Sequence, residues 1–287
     1  MLKKSLDSTQ ENITFPQTAP IYDSSRRGVV VFEEFKEVLR YHELIYQLVR
    51  RDIVARYKRS VLGIAWTMLN PLGMMLILTI VFSQIFKSVE GYPVFVLTGI
   101  IIWTFFAQTT SAIITAFVWG ADFFQRIYLP KSAFAIAAIG TGLVNLLLSL
   151  VPLLLVMIFI RFPIYPTIIF EPIPIILFAV YALGVGLFIS SIAVNFPDVA
   201  EMYQIVLMAW MYLSGVFYPL DILPEEVEKI VALNPMLPMI ELFRLPIYDG
   251  KIPTAADLLP ALVITLTAIL VGWWTFAKKS DEFAYRT

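Results

Sequence analysis

Residues 92–121 read YPVFVLTGIIIWTFFAQTTSAIITAFVWGA, thirty consecutive positions without Asp, Glu, Lys, Arg or His. A helix needs roughly 20 apolar residues to cross the hydrocarbon core of a bilayer, so this stretch must tilt or project beyond it. Similar uncharged runs lie between Arg59 and Lys87, Glu90 and Asp122, Lys131 and Arg161, Glu171 and Asp198, Glu201 and Asp221, and Asp257 and Lys278. Six such runs with short connections predict an all-α membrane protein with six transmembrane helices, one domain over residues 60–280. Composition agrees: 59% of the 287 residues are hydrophobic and 15% charged, against roughly a quarter charged in soluble domains.

The net charge of −1 conceals a sided distribution. Arg50, Arg51, Arg56, Lys58 and Arg59 precede the first run, Arg126 and Lys131 follow the second, and Lys278 and Lys279 follow the last. The positive-inside rule places these in the cytoplasm, with both termini. Residues 221–257 carry Asp221, Glu225, Glu226, Glu228, Glu241, Asp249 and Asp257 against Lys229, Arg244 and Lys251. Counting six spans from an inside N-terminus puts that acidic segment outside.

Residues 1–30 lack the apolar stretch of an export signal and are expected to form a mobile cytoplasmic tail, as are residues 281–287. Over residues 31–59, Phe35, Val38, Ile45, Val49 and Ile53 recur at steps of three and four, with charged and polar residues elsewhere. That pattern predicts an amphipathic helix lying in the membrane interface, since it leads into a basic cluster and then a span; a water-facing helix is the alternative.

Within the spans, Asn70-Pro71 is expected to kink the first helix, and Gly184 and Gly186 offer the fourth a face for close approach by another helix. Pro224-Glu225-Glu226 is a good helix start, and Asn234-Pro235 ends that element. Residues 236–248 are apolar but too short to span, as re-entrant or interfacial segments are. Short extracytoplasmic helices are therefore expected in residues 221–257, before the last span.

Chemistry is mostly excluded. His42 is the only histidine and there is no cysteine, which argues against His-based catalysis, thiolate chemistry and His- or Cys-rich metal sites. No GxxxxGK[ST] loop occurs; Gly250-Lys251 is followed by Ile252, so the chain has no phosphate loop of that type. No ionisable residue falls inside the six uncharged runs, although ion-coupled transporters need such groups at membrane depth. A transporter of this composition draws its energy from a partner. Aromatics are plentiful, and Trp66, Phe105, Phe106, Tyr203, Trp210, Tyr212 and Tyr218 are candidates to line a passage, where ring faces stack on sugars; membrane belt or packing is the competing explanation.

Arg51-Asp52-Ile53, Arg56-Tyr57-Lys58, Ser60, Leu62-Gly63, Trp66, Pro71 and Val81-Phe82 together resemble the entry to the first span of polysaccharide-exporting ABC transporter permeases. This is the type-2 class, which includes O-antigen, capsule and teichoic acid exporters. Further matches are Arg126 with Tyr128-Leu129-Pro130-Lys131, Ser214-Gly215-Val216-Phe217-Tyr218-Pro219, and Asn234-Pro235. The likeness covers roughly residues 35–280 and departs at Asn195-Phe196-Pro197-Asp198, where no basic residue precedes the aspartate.

The resemblance implies a permease in the bacterial cytoplasmic (inner) membrane, paired with a second copy of itself around a channel. Two separate ABC ATPase subunits would bind ATP and Mg, with no cofactor on this chain. The cargo would be an undecaprenyl-diphosphate-linked glycan, and nucleic acid has no part. Residues 122–131 would form a cytoplasmic coupling helix through Asp122, Phe123, Arg126, Tyr128, Pro130 and Lys131. Arg51, Arg56, Tyr57, Lys58 and Arg59 would form the interfacial helix and entrance. Arg56, Lys58 and Arg59 suit lipid head-group contact, and suit positive-inside anchoring equally. The alternatives are a type-2 permease for a drug or lipid, and a membrane enzyme acting on lipid-linked sugars through Asp221 and Glu241.

Overall fold

A computed structural model describes residues 40–58, 62–63, 65–87, 89–118 and 131–279, with the backbone alone at Tyr57. The two tails, residues 31–39 of the amphipathic stretch, Arg59 and Asp122 to Pro130 lie outside the described residues.

The described residues are helical, without strand. A first helix, α1 (His42–Tyr57), precedes α2 (Ala65–Phe82), α3 (Tyr92–Val118) and α4 (Lys131–Phe159). A 3₁₀ turn, Pro166–Phe170, leads into α5 (Pro172–Ala193), followed by α6 (Asp198–Tyr212). Two short helices, α7 (Glu225–Ala232) and α8 (Met236–Ile247), then precede α9 (Ala255–Lys279).

Five helices, α2, α3, α4, α5 and α9, are long and apolar enough to cross a membrane. The expected fifth span is shorter than its uncharged run suggested: α6 has 15 residues, about 22 Å of rise against a core of about 30 Å. Its run contains Ser214-Gly215, and Gly215 takes φ +61°, a left-handed conformation that breaks a helix and suits glycine. α7 and α8 meet at a 91° bend across Leu233–Pro235 and make a sixth crossing only as one broken span.

α3 is the hub, touching α2, α4, α5, α6 and α8. Its side chains, among them Val94, Leu97, Ile102, Phe106 and Ile113, form the centre of the core. The longest helix pairing is α5 with α9. A Cβ on Gly272 would stand 2.0 Å from the Gly184 carbonyl oxygen, and one on Gly184 would stand 2.5 Å from the backbone of Ala268. The two backbones touch because both glycines are bare, as expected for Gly184 from its sequence.

α1 lies against α4. Leu48 is buried, and a Cβ on Gly140 of α4 would stand 2.8 Å from Val49 Cγ2. Part of the apolar face anticipated for this helix thus packs on protein. Pro71 sits inside α2 and supplies no N–H for the carbonyl of Thr67 four residues back. The Ser149 hydroxyl of α4 lies 3.5 Å from that oxygen and links the two helices.

α4 ends in a Schellman arrangement, with Phe162 N–H donating to Met157 O at 2.8 Å and Arg161 N–H to Ile158 O at 3.2 Å. Arg161 holds φ 58°, the position where glycine is usual.

Candidate functional site

Two polar regions occupy opposite ends of the bundle. At the α1 end, adjoining cavities of about 220 Å³ and 270 Å³ open between α1, α2, α3 and α4. Both are lined by Arg56, Gln108, Thr109, Gly142 and Asn145. Thr67, Asn70, Thr104 and Ser149 add polar groups to the first cavity, and Thr141 to the second. Leu48, Ala137 and Ala138 close the second on its apolar side. The basic residues of α1 stand at the mouth. Arg51 and Asp52, paired at 2.8 Å, line the second cavity, and Arg56 faces both cavities.

The hydroxyls in this cleft differ in how they are satisfied. Ser149 donates to Asn145 O at 2.9 Å, and the neighbouring Thr110 donates to Phe106 O at 2.8 Å. Those are bonds to the preceding turn, the usual solution for a hydroxyl inside a membrane helix. Thr109 and Thr141 are buried and make no hydrogen bond through Oγ1.

At the α8 end, the chain leaving α6 is held by a dense polar network. Asn234 Nδ2 donates to Leu213 O (2.8 Å) and Ser214 Oγ (2.9 Å). Its Oδ1 accepts from Trp210 Nε1 (2.7 Å) and Met236 N–H (2.9 Å). The bend before Pro235 is thereby fastened to the end of α6. Arg244 of α8 is buried and donates to the carbonyls of Gly215 (2.9 Å), Val216 (2.8 Å) and Phe95 (3.2 Å). Its guanidinium carbon lies 3.8 Å from the Phe95 ring centroid. The Gly215 and Val216 carbonyls follow the break after α6 and lack helical donors, and a charged donor suits them; the Phe95 carbonyl ties the same side chain to α3.

Beside Arg244, a cavity of about 570 Å³ is lined by Tyr218, Asp221, Glu241, Tyr248, Asp249 and Asp257, among others. Asp257 Oδ2 accepts from Thr254 N–H at 2.9 Å, capping α9. Burial pushes the Asp249 carboxyl above the usual carboxylate range. Glu171, just ahead of α5, is 3% exposed, and neither carboxyl oxygen has a hydrogen-bond partner. Burial raises its pKa from 4.5 to about 9, because a low-dielectric surrounding disfavours the charged form. Among the described residues, no group of three His, Asp or Glu side chains is placed to hold a metal ion.

The candidate residues named from sequence fall into separate places. Lys131 opens α4; Asp122, Phe123, Arg126, Tyr128 and Pro130 lie outside the described residues. Lys58 is exposed at the end of α1, and the Tyr57 side chain and Arg59 are not described. Trp66 is 55% exposed at the start of α2 and lines the first cavity, as does the buried Phe105. Tyr212 is 58% exposed on α6.

Phe106, Tyr203 and Trp210 are brought together inside one chain. Phe106 lies 5.5 Å from both the Tyr181 and Trp210 ring centroids, and Tyr203 donates its hydroxyl to Thr110 Oγ1 at 2.9 Å. They dock α6 on α3. Tyr218 lines the α8-end cavity and donates to Tyr212 O at 2.8 Å.

Sequence reasoning missed Gln108, Thr109, Thr141, Asn145, Arg244 and Glu171. A signal existed for part of the cleft: Thr141, Asn145 and Ser149 recur at four-residue steps along an otherwise apolar run, which stacks them on one face of a helix.

Comparison with known proteins fits this architecture. The family model described as "ABC-2 type transporter" matches residues 43–248, from α1 to the residue after α8. The O-antigen export system permease protein RfbA of Myxococcus xanthus is 26% identical over 254 residues, covering 87% of this chain and 97% of the relative. An RfbA protein of Klebsiella pneumoniae is 25% identical, covering 84% of this chain and 94% of the relative. The capsule polysaccharide export inner-membrane protein CtrC of Neisseria meningitidis serogroup A is 23% identical, covering 85% and 94%. A helical bundle with a broken helix pair before its last span and the family pattern across most of its length belongs to the ABC-2 type transporter family.

Proposed function

We propose that this chain is the channel-forming permease of an ATP-driven exporter that moves a lipid-linked polysaccharide across a bacterial cytoplasmic membrane. The observation that carries this reading is the near end-to-end likeness to permeases named for O-antigen and capsule export. The cargo class is the O-antigen, capsule or teichoic acid type, carried on undecaprenyl diphosphate.

Two copies pair around the passage, and two ATPase subunits, which hold ATP and Mg²⁺, dock on the α1 face. That face is cytoplasmic, with both termini, because the basic residues Arg50, Arg51, Arg56 and Lys58 gather there. The segment from Asp122 to Lys131 transmits ATPase closure to the bundle. Exposed faces of α2 and α6, bearing Trp66 and Tyr212, meet the passage, while Phe106, Tyr203 and Trp210 support α6 from behind. No ionisable residue interrupts the uncharged runs, so the work of transport comes from nucleotide hydrolysis on the partner.

The test is reconstitution with the ATPase. Lipid-linked glycan is expected to accelerate ATP turnover and to appear on the far side of the membrane. Arg126→Glu with Lys131→Glu is expected to uncouple both. Stimulation by an amphiphilic drug and not by glycan would assign the chain to another cargo. Concentrative transport by the chain without any ATPase would overturn the reading.

A further inference from the structure

The cleft at the α1 end holds more polarity than helix packing requires. Thr109 is 1% exposed and Thr141 8% exposed, and each hydroxyl is without a hydrogen-bond partner. A buried hydroxyl left unpaired is destabilising, and valine would fill the same space without that cost. Their neighbours Thr110 and Ser149 turn back onto helix carbonyls, so the local backbone offers a solution that Thr109 and Thr141 do not take. Gly142 faces Thr109, and a Cβ there would stand 2.2 Å from its hydroxyl oxygen, so only glycine fits beside it. Both threonines line cavities that also hold the Gln108 and Asn145 amides and end at the Arg56 guanidinium. Among the described residues Arg56 forms no ion pair, while the one carboxylate lining the second cavity, Asp52, is taken by Arg51.

An anion-binding group at the mouth, amides on the wall and unpaired hydroxyls at depth describe one chemistry. We propose that the two adjoining cavities bind the polar head of a phosphorylated membrane lipid. Arg56 takes the phosphate, and Gln108, Thr109 and Thr141 take hydroxyl or amide groups of the first unit attached to it. The volumes of about 220 and 270 Å³ are of small-molecule size, since ligand pockets run to roughly 300–1,000 Å³; they hold a head group and no polymer. The site lies within one chain, so each copy carries its own, apart from any passage between copies. Identifying the lipid as the glycan carrier rests on the function proposed above; the head-group chemistry does not.

The experiment uses the full-length chain in phosphatidylcholine nanodiscs. Two probes are titrated separately: undecaprenyl diphosphate bearing one N-acetylhexosamine, and phosphatidylglycerol. Native mass spectrometry counts bound lipid, expected at one per chain. Thr109→Val with Thr141→Val is expected to melt like wild type and to bind its ligand roughly ten-fold more weakly. Gln108→Met, at an exposed position that cannot disturb the core, is expected to weaken binding in the same direction. Arg56→Gln is expected to weaken binding and to flatten its salt dependence.

The lipid whose affinity depends on the threonines is the ligand. If that is phosphatidylglycerol alone, the site stands and the export reading loses this support. If both lipids bind the double valine variant as tightly as wild type, the site is overturned and the export reading is untouched.

Discussion

The two ends of the bundle bury polar groups to opposite effect. At the α8 end, Asn234 has four partners and Arg244 three carbonyls, and every bond but the local one from Met236 N–H joins elements that the sequence separates. At the α1 end, Thr109 and Thr141 have no partner and border empty volume. The bonds of Asn234 and of the Arg244 Nη atoms hold the chain that leaves α6. Unsaturated groups beside a cavity are available to something that enters it. Hydrogen bonding thus separates the clamp from the head-group site proposed at the α1 end, where composition alone makes both look like scattered polar residues in apolar helices.

The strongest way to break this contrast is Arg244→Leu. It strips a buried charged donor from the Gly215, Val216 and Phe95 carbonyls, and truncating one side of such an arrangement costs about 3–5 kcal/mol. Thermal unfolding in detergent is expected to show loss of the folded permease, and wild-type stability would mean the clamp is idle. Gly272→Leu comes next, since its side chain would enter the Gly184 backbone; overpacking of this kind costs about 1–3 kcal/mol, read by the same melt. Asn234→Ala is expected to cost about 1–2 kcal/mol, reflecting lost bonds and groups left unpaired.

Glu171 gives a pH test. Its pKa is about 9 when folded and 4.5 ordinarily, so between those values the folded chain keeps a proton that the unfolded chain has released. Its contribution to stability therefore falls as pH rises from about 4.5 to about 9, by at most about 1.4 kcal/mol per pH unit, and is flat above. Glu171→Gln is expected to melt progressively above wild type between pH 6 and pH 9; parallel curves would sink the assignment. The smallest effect is expected at the α1 end, where Thr109→Val should change stability by about 0.5 kcal/mol or less, or raise it, because the hydroxyl it removes has no bond to lose.

Much of the bundle is legible in the amino acids because uncharged length is a strong signal. The runs ending at Lys87, Asp122, Arg161, Asp198 and Lys278 each correspond to a helix long enough to cross. The run from Glu201 to Asp221 misled as to length: apolarity continues past Leu213, but Ser214-Gly215 ends the helix, and hydropathy is blind to backbone conformation. Gly184 was readable as a close-approach position because small residues in membrane helices have few other uses. Its partner Gly272 was not, since nothing in a single sequence pairs one glycine with another.

Arg244 escaped for a different reason. A lone arginine in a short, proline-interrupted segment has the appearance of an interfacial charge, and only the fold brings to it the carbonyls freed elsewhere. The aromatics show the same limit. Trp66 and Tyr212 face outward while Phe106 and Trp210 are core, yet all four have the same local context of apolar neighbours.

The contact between Gly184 and Gly272 also bears on how the chain is made. Three helices separate α5 from α9 in the chain, so α5 is made with its bare backbone groove unfilled and waits for a partner synthesised later. A nascent chain stalled before residue 255 would carry an unfilled helix groove, a ready feature for membrane quality control to detect.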